Sequence, residues 1–427
     1  MTRPLKFVEL DETTTARLKD AVVNRSEHAF TFLERLVAEA STVGEESGAQ
    51  LVVAGELSRL GLSVSRVDVP ESIGDDPIAG VPQVSYEGRG DVLATTSSDH
   101  LTLLLNGHVD VVPADALGWT NAPWTPVRRD GWLFGRGAGD MKGGIAMATL
   151  AIDALREVLP AALTLPLGVL SVIEEECTGN GTLAALRHGV TADYVVVTEP
   201  TDLEMLVGGT GIVWVDVTVQ GAGGHAEAAD RLEHPLDAAL RLVPVLEDLG
   251  RYVAKEHPEA RFRDLSQPYN VNVGLVRAGD WRSSVASVVT LGVRFGHPTK
   301  WTSEQAIEEI KSVVVAAISN ESGLRVTFSS TGFRAQGYLL DEDSPLIGAV
   351  GDAHAATHGS RPGTHVGGST TDARFYLNQA NVPALCYGPV ARDIHGVDES
   401  VELSSIVKGA QTLAHFIAGL AFANELL

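Results

Sequence analysis

His108 and Asp110 stand one residue apart at the end of the apolar run in "LTLLLNGHVDVVPA", and Glu174, Glu175 and Glu176 follow a second apolar run, "LTLPLGVLSVI". Glu199 closes a third run, "DYVVVTE". Asp140 lies inside "GRGAGDMKGG", and His395 lies downstream of a fourth run, "VPALCYG". Imidazoles and carboxylates gathered in this way suit metal-assisted hydrolysis. Packed together without a cation, the carboxylates would repel and raise one another's pKa, a conflict that a divalent ion removes. Two such ions, about 3.5–4 Å apart, need one carboxylate to bridge them. Asp110 suits a supporting role, because positions two apart in an extended segment point the same way and a carboxylate orients a ligating imidazole. Singly, each residue has a plainer reading: Asp140 beside glycines is equally a helix N-cap, and the acidic run is a solvated turn. Their shared placement at strand ends favours a metal site.

The elements that must position these residues follow from periodicity. Apolar spacing of three and four predicts helices over 12–24, 26–42 and 46–60. Strands are expected at 62–69, 92–96 and 101–106, then a helix "IAMATLAIDALREVL", a buried strand ending at residue 173, a short helix closed by Gly189, and the strand before Glu199. Alternating helices and continuously apolar strands imply an α/β fold with a mostly parallel sheet covered by helices on both faces. Ligands in such folds bind at the carboxyl ends of the strands. From "GGTG" at 208–211 the pattern changes to alternating strands and helices in the order β-α-β-β-α-β, running to "SSTG" at 329–332. The expected organisation is residues 1–209 and 331–427 as the two parts of one catalytic α/β domain, with 210–330 inserted as a second domain.

The 32 Lys+Arg against 55 Asp+Glu leave a net charge of -23, which repels nucleic acid and anionic membrane. Two cysteines, Cys177 and Cys386, cannot build a disulfide framework, and the opening "MTRPLKFVELDETTTARLKD" has no apolar core of an export signal. No window approaches a spanning helix, so the expected setting is cytoplasmic, with no membrane and no nucleic acid as partner.

The segments "NGHVDVVP", "GRGAGDMKGG", "EEECTGNG", "TEPT" and "HGVDES" resemble, in the same order and over nearly the whole chain, the metal-site motifs of the di-zinc aminoacylase/carboxypeptidase family of metallopeptidases. That family includes acetylornithine deacetylases, succinyl-diaminopimelate desuccinylases and glutamate carboxypeptidases. The resemblance implies a di-zinc exopeptidase-like fold with an inserted lid and dimerisation domain, hence a homodimer formed through the lid. It implies two divalent ions, zinc first with cobalt or manganese as alternatives. Asp140 then bridges them, His108 and Glu199 complete one, and Glu176 and His395 complete the other. Glu175 is implied as general base, passing a proton from the metal-activated water to the leaving nitrogen, with Asp110 behind His108. His225 in "GAGGHAE" resembles the lid histidine that reaches the partner subunit's site and stabilises the oxyanion. Asn272, Arg294 and Arg374 are candidates for holding a substrate carboxylate.

Two departures bear on the substrate: "AEAADRLEHP" after His225 lacks the small-residue and proline pattern of the family, and "PESIGDDPIAGVPQVSYEGRG" makes a long excursion. The expected function is a metal-dependent amidohydrolase, acetylornithine deacetylase-like, that cleaves an N-acyl amino acid or a similar small carboxylate-bearing amide. Alternatives are a dipeptidase or carboxypeptidase, an N-carbamoyl amino acid hydrolase and, outside enzymes, an inactive metal-binding dimer module.

Overall fold

The continuously apolar runs become fully buried strands. Leu167–Val172 and Ala192–Val197 are buried at every position, as is Leu101–His108 apart from Thr102. A strand can hide both faces only inside a layered fold, and here helices cover the sheet on each side. The computed structural model of the chain describes residues 5–97, 100–319 and 323–423.

The main sheet has nine strands. Along its path they run Ser63–Asp68, Gly90–Thr95, Leu167–Val172, Leu101–His108, Ala192–Val197, Ala384–Cys386, Met205–Gly209 and Tyr338–Leu339, with Thr364–Gly367 alongside Met205–Gly209. Leu101–His108 is parallel to both neighbours, and Ala384–Cys386 is parallel to Ala192–Val197, so four carboxyl ends share one edge. The helices Glu12–Ala38, Gly143–Val158 and Leu403–Ala423 pack together on one face.

One helix replaces the two expected over 12–24 and 26–42: Glu12–Ala38 is continuous, started by Asp11, whose carboxylate accepts the Thr14 N–H at 2.9 Å. No proline or glycine stands in residues 12–38 to interrupt it, and the helix stops with Glu39 in extended backbone. The carboxyl-terminal helix, Leu403–Ala423, also differs from expectation. By length and mean hydropathy of 1.3 it could cross a membrane, but 78% of that window is buried, and its apolar residues serve the protein core.

A second sheet of four antiparallel strands, in the order Val271–Ala278, Val288–His297, Gly211–Gln220 and Arg325–Ala335, is covered on one face by helices Pro235–Glu256 and Ser303–Ile318. Val213, Val215, Val217 and Val219 point into this separate core and Trp214, Asp216 and Thr218 point away from it. Ser303–Ile318 begins where Thr302 and Gln305 exchange backbone hydrogen bonds in a capping box. Gly211–Gln220 leaves the main sheet at Thr210. Arg325–Ala335, in contrast, carries through the 329–332 segment with a register shift between Thr331 and Arg334, and the main sheet resumes at Tyr338.

A third, small sheet, Val127–Arg129, Trp132–Phe134, Ser400–Glu402 and Ala391–Arg392, lies beside the shared edge. It ties the loop bearing Asp140 to the loop bearing His395.

Candidate metal centre

At the common edge, two clusters of ligand-type side chains share one residue. The ligand atoms of His108, Asp140 and Glu199 lie within 4.8 Å of one another, as do those of Asp140, Glu176 and His395. The two oxygens of Asp140 serve opposite sides: Oδ1 is 3.1 Å from His108 Nε2 and Oδ2 is 3.4 Å from His395 Nε2. Glu199 Oε2 is 3.9 Å from His108 Nε2, and Glu176 Oε2 is 3.0 Å from His395 Nε2.

The donor set fits a pair of divalent cations. Burial raises Glu175 and Glu199 well above the usual carboxylate range, and mutual repulsion adds to it. Burial alone would lower His395, yet the hydrogen bonds and charges of Asp140 and Glu176 push it up to about 11. So much negative charge in so little water must collect protons or a metal.

The ligands are held both by neighbouring chain and by segments far away in sequence. His108 Nδ1 donates to the backbone carbonyl of Asp110 at 2.8 Å, which leaves Nε2 facing Asp140. The Asp110 carboxylate stands farther, 3.6 Å from the imidazole, and instead accepts the N–H groups of Glu175 and Glu176 at 3.1 and 3.0 Å. The residue expected to orient the imidazole through its side chain does so through its backbone, and its carboxylate fixes the acidic turn. Glu174, first of the three acids, turns away with φ 61° and takes hydrogen bonds from Arg89 Nη1 at 2.7 Å and Tyr86 Oη at 2.5 Å.

Glu399 was not singled out by sequence reasoning. Fully buried, its Oε1 accepts the N–H groups of Gly139 and Asp140 at 3.0 Å each, while Oε2 accepts Arg136 Nη1 at 2.5 Å. Arg136 also donates to the carbonyl of Gly396, next to His395. This brace sets the Asp140 and His395 loops against each other. Its only signal in the sequence is an acid four residues beyond the histidine of "HGVDES".

Glu175 is 6% exposed; its Oε2 is 4.0 Å from His108 Nε2, and its Oε1 has no hydrogen-bond partner among the described residues. Arg374 Nη1 stands 4.0 Å from that Oε1. Arg374 is itself buried and spends donors on the carbonyls of Thr371 and Thr178. Asn272 and Arg294 are cross-strand neighbours on the outward face of the second sheet, and Arg294 reaches Asn270 Oδ1 and the carbonyl of Gly368. His225 joins neither cluster: it sits exposed, its Nδ1 accepting the Glu227 N–H at 3.2 Å.

The family described as peptidase family M20/M25/M40 matches residues 104–419. The chain is 30% identical to a succinyl-diaminopimelate desuccinylase of Methylorubrum populi, covering 87% of this chain and 92% of the relative. It is 27% identical to N-formyl-4-amino-5-aminomethyl-2-methylpyrimidine deformylase of Bacillus subtilis, covering 87% and 88%. Among solved structures, the di-peptidase Dug1p of Saccharomyces cerevisiae superposes with a TM-score of 0.79 at 15% identity, over 96% of this chain and 98% of that one.

Proposed function

Since the chain belongs to peptidase family M20/M25/M40 and is a metal-dependent amidohydrolase of that family, we propose that it hydrolyses the amide bond of an N-acyl amino acid or a similar small carboxylate-bearing amide. The observation that carries this reading is the division of the Asp140 carboxylate between two ligand clusters with the partnerless Glu175 oxygen beside them. His108 and Glu199 would hold one divalent ion, Glu176 and His395 the other, and Asp140 both. Zinc suits this nitrogen and oxygen set, with cobalt or manganese as alternatives. When bound, the pair supplies a water acidic enough to attack at neutral pH and a positive charge for the carbonyl oxygen.

The remaining work falls to the chain. Glu175 takes a proton from the attacking water and returns it to the leaving nitrogen, and no covalent enzyme intermediate forms. Arg374, fixed by two backbone carbonyls, holds Glu175 in place through charge. Asp110 keeps Glu175 and Glu176 in register by gripping their N–H groups. Arg294 and Asn272 receive the substrate carboxylate. The segment 210–330, with its last strand continuing to Ala335, works as a lid and dimerisation domain between the parts 1–209 and 331–427. His225, exposed and outside its own chain's clusters, stabilises the oxyanion in the site of a second copy. The free, buried Cys177 and Cys386 suit the reducing cytoplasm.

The deciding experiment is a hydrolysis screen of zinc- and cobalt-loaded protein against formyl, acetyl and succinyl amino acids, with dipeptides alongside. Turnover of N-acyl substrates in preference to dipeptides is expected. A preference for dipeptides would replace the deacylase reading with a peptidase, and no turnover of any amide would remove both.

A further inference from the structure

Within the long excursion over residues 70–90, residues 76–89 form no helix or strand, so this stretch takes its shape from what it binds. Glu71 fastens it internally, Oε1 accepting the N–H groups of Tyr86 and Glu87 at 2.7 and 3.1 Å. Its remaining polar groups are spent at two places, the acidic turn of the metal centre and the last strand of the second sheet.

At the acidic turn, the buried Tyr86 and Arg89 grip Glu174. Tyr86 Oη donates to Oε2 at 2.5 Å, Arg89 Nη1 to Oε1 at 2.7 Å, and Thr178 Oγ1 adds a bond to Oε2 at 2.8 Å. Arg89 is itself fixed by Glu46, whose carboxylate accepts Nε and Nη2 at 3.0 and 2.5 Å. Glu174 has φ 61°, a left-handed conformation that a residue with a side chain keeps only where its surroundings hold it. A buried ion pair contributes little stability beyond an apolar fill of the same volume, so the gain here is one of direction. The strand ends at Glu174 turned so that Glu175 and Glu176, the next two residues, meet His108 and His395.

At the second sheet, Val81 pairs with Gly332 in an isolated antiparallel bridge, its N–H donating to the Gly332 carbonyl at 2.7 Å. Gln83 exchanges side-chain hydrogen bonds of 2.9 and 3.1 Å with Thr331. Both partners lie in the register shift of the strand Arg325–Ala335. Between the two anchorages stands Gly80. A Cβ there would come within 2.7 Å of Thr178 Cα and 2.9 Å of the Gly332 carbonyl oxygen, so three backbones meet with no room for a side chain. Asn180 reads the same glycine with both ends of its amide, accepting the Gly80 N–H and donating to its carbonyl at 3.0 Å each, and also donates to Tyr86 Oη at 2.8 Å.

We propose that Tyr86 and Arg89 are positioning residues for the hydrolysis, and that residues 80–89 form a strap through which the strand Arg325–Ala335 sets the turn bearing Glu175 and Glu176. The proposal rests on the amidohydrolase reading above. It adds a second support for the base, on the side opposite the grip of Asp110, and gives the excursion a mechanical role. A shift of the second sheet at Thr331 and Gly332 is carried by the strap to Glu174, and so to the general base.

Two measurements on the full chain test this. The first is steady-state kinetics of zinc-loaded wild type, Tyr86→Phe and Gly80→Ala with whichever N-acetyl amino acid the wild type hydrolyses best, normalised to folded, metal-loaded protein. Each variant should lower kcat by roughly tenfold to a hundredfold while KM stays within about twofold, because the base is misplaced and substrate contacts are not. The second is amide hydrogen exchange followed by mass spectrometry. Tyr86→Phe should speed exchange at residues 174–180 by roughly threefold to tenfold, and Thr331→Val, at the far end of the strap, should do the same while helix Ser303–Ile318 is unchanged. A Tyr86→Phe variant with wild-type kcat and exchange overturns the positioning role. A Thr331→Val effect confined to residues 325–335 overturns the strap. Should no amide be turned over, the amidohydrolase reading fails on its own account, and exchange alone decides whether the strap exists.

Discussion

Glu399, at the edge of the main sheet, is fully buried and receives three hydrogen bonds, from two backbone N–H groups and a guanidinium. Asp216, on the second sheet, receives none among the described residues. The same contrast holds for the arginines, since Arg136 is locked to Glu399 and the carbonyl of Gly396 whereas Arg277 is exposed and unpaired among the described residues. The edge keeps Glu399 and Arg136 buried and braced from distant segments, and the outward face of the second sheet leaves the side chains of Asp216 and Arg277 without partners among the described residues. Reacting groups must be preset within tenths of an ångström, because misplacement costs rate directly. Groups that recognise a substrate must instead exchange water for ligand, which a prior salt bridge would oppose.

Glu175 is where this contrast is most easily broken. Glu175→Gln keeps the shape and the N–H grip of Asp110 but removes the base. The expected result is a fall in kcat of roughly 10³-fold with two metal ions still bound per chain, measured by steady-state kinetics and elemental analysis. Loss of the ions along with activity would mean that Glu175 is a ligand, and that the edge does not separate binding from proton transfer. Arg294→Gln is the counterpart on the second sheet. It should raise KM for a carboxylate-bearing substrate by roughly tenfold to a hundredfold, the worth of a charged hydrogen bond, with metal content intact.

The brace offers a finer test. Glu399→Gln retains one acceptor oxygen and loses the charge that holds Arg136. The His395 cluster is the more exposed of the two, with 51% of the His395 side chain open against 1% for His108. One cation should therefore bind roughly 10- to 100-fold more weakly in the variant, while the cation at His108 and Glu199 is retained. Competition titration with a chromophoric chelator reads both steps. Equal weakening of the two would show that the brace supports the fold at large and has no special hold on the His395 loop.

These assignments were unequally legible in the sequence. The strand ends were plain, because an apolar run that stops at His108, at Glu174 or at Glu199 marks both a buried strand and its functional terminus. The start of helix Ser303–Ile318 is recorded locally, since its capping box joins Thr302 to Gln305, three positions on. Glu399 was hidden, as its partners Gly139 and Asp140 lie 260 and 259 positions away and no local period records such a contact. The support role of Asp110 was visible only in outline: periodicity gives the direction of a side chain, and it was the backbone carbonyl that met the imidazole. The second joint of the inserted segment was expected at 329–332, where glycine follows two serines and a threonine. The strand absorbs that glycine in a register shift and continues to Ala335.

The joint between the two regions gives the smallest effect. His297 ends the strand Val288–His297 opposite Gly211, where the chain passes from the main sheet to the second sheet, and is fully buried with Nε2 unpartnered among the described residues. Its Nδ1 donates to the carbonyl of Pro298 at 3.1 Å, and burial holds its pKa down at about 4, which keeps the ring neutral at pH 7. Between that value and the ordinary 6.5 the unfolded chain binds a proton that the folded chain refuses, and stability therefore rises with pH. The contribution is complete above pH 6.5 and declines as pH falls toward 4, by on the order of 1 kcal/mol at pH 5.5. Thermal denaturation of metal-free wild type and His297→Asn at pH 7.5 and 5.5 isolates this effect, since the other titrating groups are common to both. The variant should lose less Tm on acidification. If the two proteins lose the same, His297 is open to water, and the joint belongs with the loosely held lid face and not with the braced edge.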